Sequence, residues 1–268
     1  MPRAAFSPRE ADELWHCAQA LADAARPVTL ASFRSATLQA DNKDAGGFDP
    51  VTVADRGAEA AIRAELARLR PQDAILGEEH GTRCGTSGLT WVIDPIDGTR
   101  AFLAGTPTWG VLIGLADRDG AVLGIIDQPF IGERFRGGLG VAEVTGPHGV
   151  HPLRTRAARP LNEAIVFTTF PEVGTPDDRA AFERVSARAR LTRYGMDCYA
   201  YALVAAGQID LVIEAGLQSY DIMAPIAVIE AAGGLVTDGR GGPAHQGGRV
   251  IAAATPQIHA EALALLNG

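Results

Sequence analysis

Cysteine is scarce in this chain. Cys17, Cys84 and Cys198 are the three present in 268 residues. They are odd in number, far apart and without a paired metal spacing, which excludes a disulfide framework and a zinc knuckle. Three reduced thiols are expected, as in a cytoplasmic protein. No signature of a nucleophilic cysteine surrounds any of them. Long apolar runs are also missing, so no segment is expected to cross a bilayer. The N-terminal stretch MPRAAFSPREADELW turns acidic early and does not read as a secretion signal. No GxxxxGK[ST] phosphate loop occurs. Basic residues are outnumbered, 24 Lys and Arg against 32 Asp and Glu, for a net charge of −8. Such a surface repels nucleic acid, and it also repels anionic substrates. A phosphate ester would therefore need local positive charge, and bound metal ions are the obvious source.

What is present suits a large buried core: 47% hydrophobic and 21% charged residues. Ser7-Pro8-Arg9-Glu10 has the form of a capping box and opens a helix expected to stop at Arg26, before Pro27. A second helix is expected over Ala54 to Arg70. Short strands are expected at Asp73 to Gly77 and Leu89 to Ile93, and a hairpin at Gly110 to Ala116 and Ala121 to Asp127. The stretch from Gly137 to Pro160 is rich in Gly, Pro and Arg, and a subdomain boundary is placed near its end. Beyond it the pattern predicts strands at Ala164 to Thr169, Asp210 to Glu214, Leu235 to Asp238 and Val250 to Ala254. Helices are expected at Asp177 to Arg190, Cys198 to Ala206 and Asp221 to Ala232, with a last one capped by Thr255. Helices and strands alternate, which points to layered α and β structure.

The most informative segment is Trp91-Val92-Ile93-Asp94-Pro95-Ile96-Asp97-Gly98-Thr99. An apolar strand delivers two carboxylates three residues apart around a stiff Pro95 and a permissive Gly98. Carboxylates held this close repel one another, and hard divalent cations relieve that repulsion. Alone, the pattern is equally a polar turn. Glu78 ends a strand just upstream, Asp55 starts one helix and Asp221 starts another. Each has a bland alternative, as a helix cap or a solvated strand end. Together they place carboxylates on element ends, the usual way to build a multi-metal site on rigid supports.

These segments resemble the inositol monophosphatase family of metal-dependent phosphatases. The pieces are DPVTVAD at 49–55, GEEH at 77–80, WVIDPIDGT at 91–99 and YDIMAPIAVIEAAGGLVTD at 220–238, and they cover nearly the whole chain. The resemblance implies an α+β fold, the layered α-β-α-β-α sandwich of the inositol monophosphatase and fructose-1,6-bisphosphatase type. It implies residues 1–158 as an N-terminal α+β subdomain with most metal ligands, and 159–268 as a C-terminal α/β subdomain with Asp221 and the substrate contacts. Two or three Mg2+ ions are implied. Glu78, Asp94 and the Ile96 carbonyl would hold the first, and Asp94, Asp97 and Asp221 the second. Asp55 would assist a third through water. The implied catalytic residues are Asp55, Thr99 and Glu78, with Asp55 and Thr99 activating the attacking water. Gly98 and Thr99 would contact phosphate through their amides, with Asp221 also near the substrate. Relatives usually form homodimers.

For the alcohol half of the substrate, GTRAFLAGTPTWGVLIGL at 98–115, GIIDQP at 124–129 and DCYAYALVAAGQIDLVIEAGL at 197–217 are most similar to the histidinol-phosphate phosphatase branch. A cationic amino alcohol calls for carboxylates not consumed by metal, and Asp197 and Glu214 are the candidates. Asp197 could instead cap the helix that follows it, and Glu214 could be a solvated strand end. Lys43, in a loop with Gly46-Gly47, is a candidate contact in a lid, or a solvated lysine. Arg100 could touch phosphate or a partner subunit. Trp91 and Trp109 read as core. The competing enzyme is an inositol-1-phosphate phosphatase with the same mechanism. A bisphosphate substrate would want a basic cluster that the C-terminal motifs lack. The reading from another class is a non-catalytic binding protein of the transcription or RNA-processing machinery. The full acidic set and the negative charge argue against it.

Overall fold

The computed structural model describes residues 6–36, 38, 40–42 and 50–268. In chain order the elements are α1 (Pro8–Ser32), β1 (Ala40–Asn42), β2 (Pro50–Thr52), α2 (Val53–Leu69), β3 (Ala74–Gly77), β4 (Gly81–Arg83), β5 (Thr90–Asp97) and α3 (Thr99–Ala104). There follow β6 (Gly110–Asp117), β7 (Gly120–Gln128), β8 (Glu133–Gly138), β9 (Val141–Gly146), β10 (Gly149–Pro152) and β11 (Ile165–Thr168). The chain ends with α4 (Pro176–Ser186), β12 (Leu191–Tyr194), α5 (Asp197–Ala205), β13 (Leu211–Leu217), α6 (Ser219–Ala231), β14 (Leu235–Asp238), β15 (Gly248–Ala253) and α7 (Pro256–Leu266).

An eight-stranded sheet runs in the order β10-β9-β8-β7-β6-β5-β3-β4, and a five-stranded sheet in the order β12-β11-β13-β15-β14. The first is antiparallel except where β3 meets β5. Apolar side chains of α1 and α2, among them Leu14, Leu21, Ile62 and Leu66, pack on Trp91, Ile93, Val111 and Ile113 of that sheet. Its opposite face meets α5 and α6 across a core holding Leu112, Ile126, Cys198, Ile222 and Ile226, which continues into Val212 and Ala252 of the five-stranded sheet. Phe182 and Val185 of α4 and Ile258 and Ala262 of α7 cover the outer face of that second sheet. The result is the expected five-layer α-β-α-β-α sandwich, with Trp91 and Trp109 buried.

A row of glycines seats α6. Gly114 on β6 pairs with Gly124 on β7, which pairs with Gly137 on β8. A Cβ at Gly124 would stand 2.3 Å from the Ala224 carbonyl oxygen, and one at Gly137 would stand 2.3 Å from Val228 Cα. At Gly114 it would meet Met223 Cγ at 2.9 Å. The helix backbone therefore lies directly in a trough across three strands, an approach that any side chain in the row would prevent.

Two expected helix ends are corrected. Helix α1 continues through Pro27 to Ser32. Pro27 and Asp23 both lie on the exposed face, so the Asp23 carbonyl that loses its N–H partner can be hydrated. The added turn delivers buried Thr29 and places Phe33 against Phe102 and Trp109, at centroid distances of 5.2 and 5.1 Å. Helix α4 stops at Ser186, short of the expected Arg190, and Leu191–Tyr194, to which the pattern assigned no element, is an edge strand paired with β11. The stretch from Gly137 onward, to which the pattern assigned no element, supplies the end of β8, then β9 and β10. Lys43 and Gly46-Gly47 lie outside the described residues.

Gly124→Ala is expected to cost about 1–3 kcal/mol of unfolding free energy by overpacking against α6. Gly146→Ala, whose added carbon meets only the Glu133 side chain at 3.1 Å, should stay within about 0.5 kcal/mol of wild type. Urea unfolding of the two variants checks this, and equal losses would remove the trough from the account.

Candidate active site and metal centre

Strand β5 does not keep a regular register through its acidic end. Asp94 pairs with Leu112 and Asp97 with Gly110, so two residues, Pro95 and Ile96, stand opposite one. In a regular strand residues three apart point to opposite faces. The bulge adds one residue and returns both carboxylates to the face that meets α6, and Pro95 loses no ladder bond it could have donated. The Ile96 N–H donates to Asp94 Oδ1 at 3.0 Å, which fixes the turn.

Helix α6 brings the third acid. Gln218 and Asp221 form a capping box, with the Gln218 N–H donating to Asp221 Oδ2 at 2.6 Å. Oxygens of Asp94, Asp97 and Asp221 lie within 4.8 Å of one another. Glu78 follows β3, and its carboxyl hydrogen-bonds with that of Asp94. Burial pushes the Asp94 carboxyl well above the usual carboxylate range, and the charges of Glu78, Asp97 and Asp221 push it further. Asp97 is raised by burial and then by Asp221 and Asp197, against an opposing bond from the Cys198 N–H at 2.6 Å. A cluster this costly to ionise is what divalent cations with oxygen ligands stabilise.

Asp55 sits at the third position of α2, also in a capping box. Thr52 donates to its Oδ2 from N–H at 2.9 Å and from Oγ1 at 2.5 Å. Its Oδ1 faces Thr99 Oγ1 at 3.4 Å, and that hydroxyl also lies 3.2 Å from the Ile96 carbonyl oxygen. The structure thus joins Asp55, Thr99 and Ile96 beside the acidic trio. Gly98, with φ of 85°, precedes α3 in the left-handed region that favours glycine.

A cavity of about 440 Å³ opens on these groups, and Glu78, Asp94, Asp97, Asp197, Glu214 and Asp221 all line it. Glu214 is buried on β13 just before a second bulge, between Glu214 and Leu217. It accepts from the Thr169 N–H at 2.6 Å, Thr169 Oγ1 at 2.8 Å and Thr168 Oγ1 at 3.2 Å. Burial lifts its pKa to about 7 despite those bonds. It is therefore not a solvated strand end. Asp197 is not a helix cap either. Its φ is +46°, its Oδ2 accepts from Thr108 Oγ1 at 2.7 Å, and the N-cap residue is Met196. Its carboxyl rests on Gly98, where a Cβ would meet Asp197 Cγ at 2.8 Å. The Arg100 guanidinium stacks 4.9 Å from the Phe170 ring centroid at the cavity rim. Cys198, next in the chain, lies in the apolar core, and burial holds its thiol well above the ordinary range, which suits no nucleophile.

A sequence model of the inositol monophosphatase family matches residues 10–267. The chain belongs to the inositol monophosphatase family. It is 39% identical over 273 residues to the bifunctional phosphatase IMPL2, chloroplastic, of Arabidopsis thaliana, a match covering 98% of this chain and 77% of that protein. It is 35% identical to the histidinol-phosphatase of Streptomyces coelicolor, with 93% and 95% covered. An inositol monophosphatase from Zymomonas mobilis superposes with a TM-score of 0.84 at 37% identity, over 98% of this chain and 100% of that one. The protein is thus a phosphatase of a family whose members are generally metal-dependent. No helix among the described residues is long and apolar enough to cross a membrane.

Several groups of this family member's site are not visible as motifs. Glu59, on α2, accepts from the N–H groups of Glu79 and His80 at 2.7 and 3.2 Å, and so fixes the turn that carries Glu78. Gly77 is glycine because a Cβ there would fall 2.1 Å from the Glu59 carboxylate. Thr108, Thr168 and Thr169 hold the two outer carboxylates. Their only sequence signal is polarity at strand ends.

Glu214 yields a pH prediction. Its folded pKa of about 7 exceeds the ordinary 4.5, so between those values the folded protein binds a proton that the unfolded chain releases. Stability therefore falls as pH rises through that window, by about 3 kcal/mol at most. Glu214→Gln, which keeps the same shape, should melt higher than wild type at pH 8 and equally at pH 4.5. An identical difference at both pH values would contradict this.

Proposed function

We propose that this protein is a magnesium-dependent phosphate monoesterase whose substrate is histidinol phosphate, hydrolysed to histidinol and phosphate. The observation that carries the substrate is a pair of carboxylates, buried Glu214 and half-buried Asp197, in the cavity that also holds the acidic trio. The leaving alcohol carries a primary amine and an imidazole that can be cationic. An anionic wall attracts such a body, and N–H donors pair well with carboxylates. Inositol, with neutral hydroxyls, would gain less from such a wall. Similarity to a histidinol-phosphatase along 93% of the chain supports the same reading.

The donor set suits magnesium, being carboxylate and carbonyl oxygen with no sulfur or nitrogen. Glu78, Asp94 and the Ile96 carbonyl would hold one ion, Asp94, Asp97 and Asp221 a second, and Asp55 would help to hold a third. Magnesium, when bound, offsets charge on the phosphate and leaving oxygen and acidifies water near neutral pH. Asp55 and Thr99 take the proton of the attacking water. Asp55 Oδ2 is tied to Thr52, which leaves Oδ1 directed at Thr99. The Gly98 and Thr99 amides bind the phosphate, while Asp197 and Glu214 bind the alcohol. No covalent phosphoenzyme is needed, since in-line attack by water suffices. The homodimer, the cytoplasmic location and the division at residue 158 belong to the same proposal and rest on the family resemblance.

Phosphate release with magnesium should favour histidinol phosphate over inositol-1-phosphate by about a hundred-fold or more in kcat/KM, or about 2.7 kcal/mol of transition-state binding. The reverse preference would keep the site chemistry and make inositol-1-phosphate the substrate.

A further inference from the structure

Helix α5 carries two tyrosines with different fates. Tyr199 donates its hydroxyl hydrogen to Glu133 Oε2 at 2.8 Å. Tyr201 is only 4% exposed, and its hydroxyl has no hydrogen-bond partner among the described residues. A buried hydroxyl without a partner forfeits its hydration and gains nothing in return. Phenylalanine would fill the same space in the α5 core without that cost. The indole nitrogens of Trp15 and Trp109 are also unpartnered, but neither residue lines the active-site cavity. Tyr201 does, together with Asp97, Asp197, Glu214 and Asp221.

Tyr201 and Asp197, four residues apart on α5, both face the cavity. Glu214 approaches from β13. We propose that the Tyr201 hydroxyl is a substrate-binding group that completes its hydrogen bonding on a polar substituent of the leaving alcohol. It thereby selects alcohols bearing an amine, a ring nitrogen or a hydroxyl over apolar ones. A site built around a buried polar group rejects analogues that cannot pair with it far better than an apolar pocket rejects extra bulk. An ammonium group between Asp197 and Glu214 would also find the phenol oxygen as an acceptor. The inference rests on the reading of this cavity as the phosphatase site, but not on which polar alcohol is preferred.

The test is Tyr201→Phe in the full chain with magnesium, assayed on histidinol phosphate, inositol-1-phosphate and phenyl phosphate, whose leaving group has no polar atom beyond the ester oxygen. Without substrate the variant should melt no lower than wild type, because it loses an unsatisfied hydroxyl. Its kcat/KM on the preferred polar substrate should fall roughly ten-fold, with phenyl phosphate unchanged. A lower melting temperature with unchanged kinetics would make the hydroxyl structural and overturn the proposal. Equal losses on polar and apolar substrates would also overturn it, since the hydroxyl would then serve the phosphate and not the alcohol. If wild type prefers inositol-1-phosphate, the histidinol reading fails, while the same comparison on that ester still decides the role of Tyr201.

Discussion

The contact on which the site depends is the backbone of α6 lying against Gly114, Gly124 and Gly137. Asp221 opens that helix, and Asp94 and Asp97 project from the same face of the same sheet. With the helix seated this closely, three carboxylates come within 4.8 Å. Their repulsion opposes folding, and the apolar packing on both sides of the sheet, with the N–H bonds from Ile96, Cys198 and Gln218, holds them together. The fold therefore stores an electrostatic cost where a cation would relieve it, as expected of a preorganised metal centre.

Two bulges refine the arrangement. The one at Pro95-Ile96 turns an alternating strand into a source of two carboxylates on one face. The one after Glu214 lies beside the outer end of the cavity. Behind the site residues stands a layer of fixed partners. Glu59 holds the Glu78 turn, Thr52 holds Asp55, Thr108 holds Asp197, and Thr168 and Thr169 hold Glu214. The acids are thus aimed by short local boxes and by cross-element bonds.

The local part was legible in the sequence. Asp55, Glu78, Asp94, Asp97 and Asp221 stand at element ends, where turn and cap chemistry marks them, and the layered fold follows from the alternation of helices and strands. What was not legible depends on neighbours distant in the chain. Nothing near Thr108 announces that it will meet Asp197, 89 positions away. Tyr201 looks like an ordinary aromatic of an apolar helix until its hydroxyl is found without a partner. Pro27 reads locally as a helix end, and only the packing of Thr29 and Phe33 carries the helix past it. Leu191–Tyr194 carries no strand signal of its own, because its partner strand β11 lies more than twenty residues upstream. Asp197 reads locally as cap or ligand, and its left-handed backbone and its bond from Thr108 exclude the cap.

The central claim is that the acidic trio is a cation site held under mutual repulsion by the fold. The most direct measurement is the melting temperature of wild type and Asp94→Asn at pH 8, each with and without magnesium. The substitution keeps the shape and the acceptor for the Ile96 N–H while removing one charge. It should raise the metal-free melting temperature and abolish the increase that magnesium gives wild type. A variant that melts lower without metal, or keeps the full magnesium increase, would contradict the account.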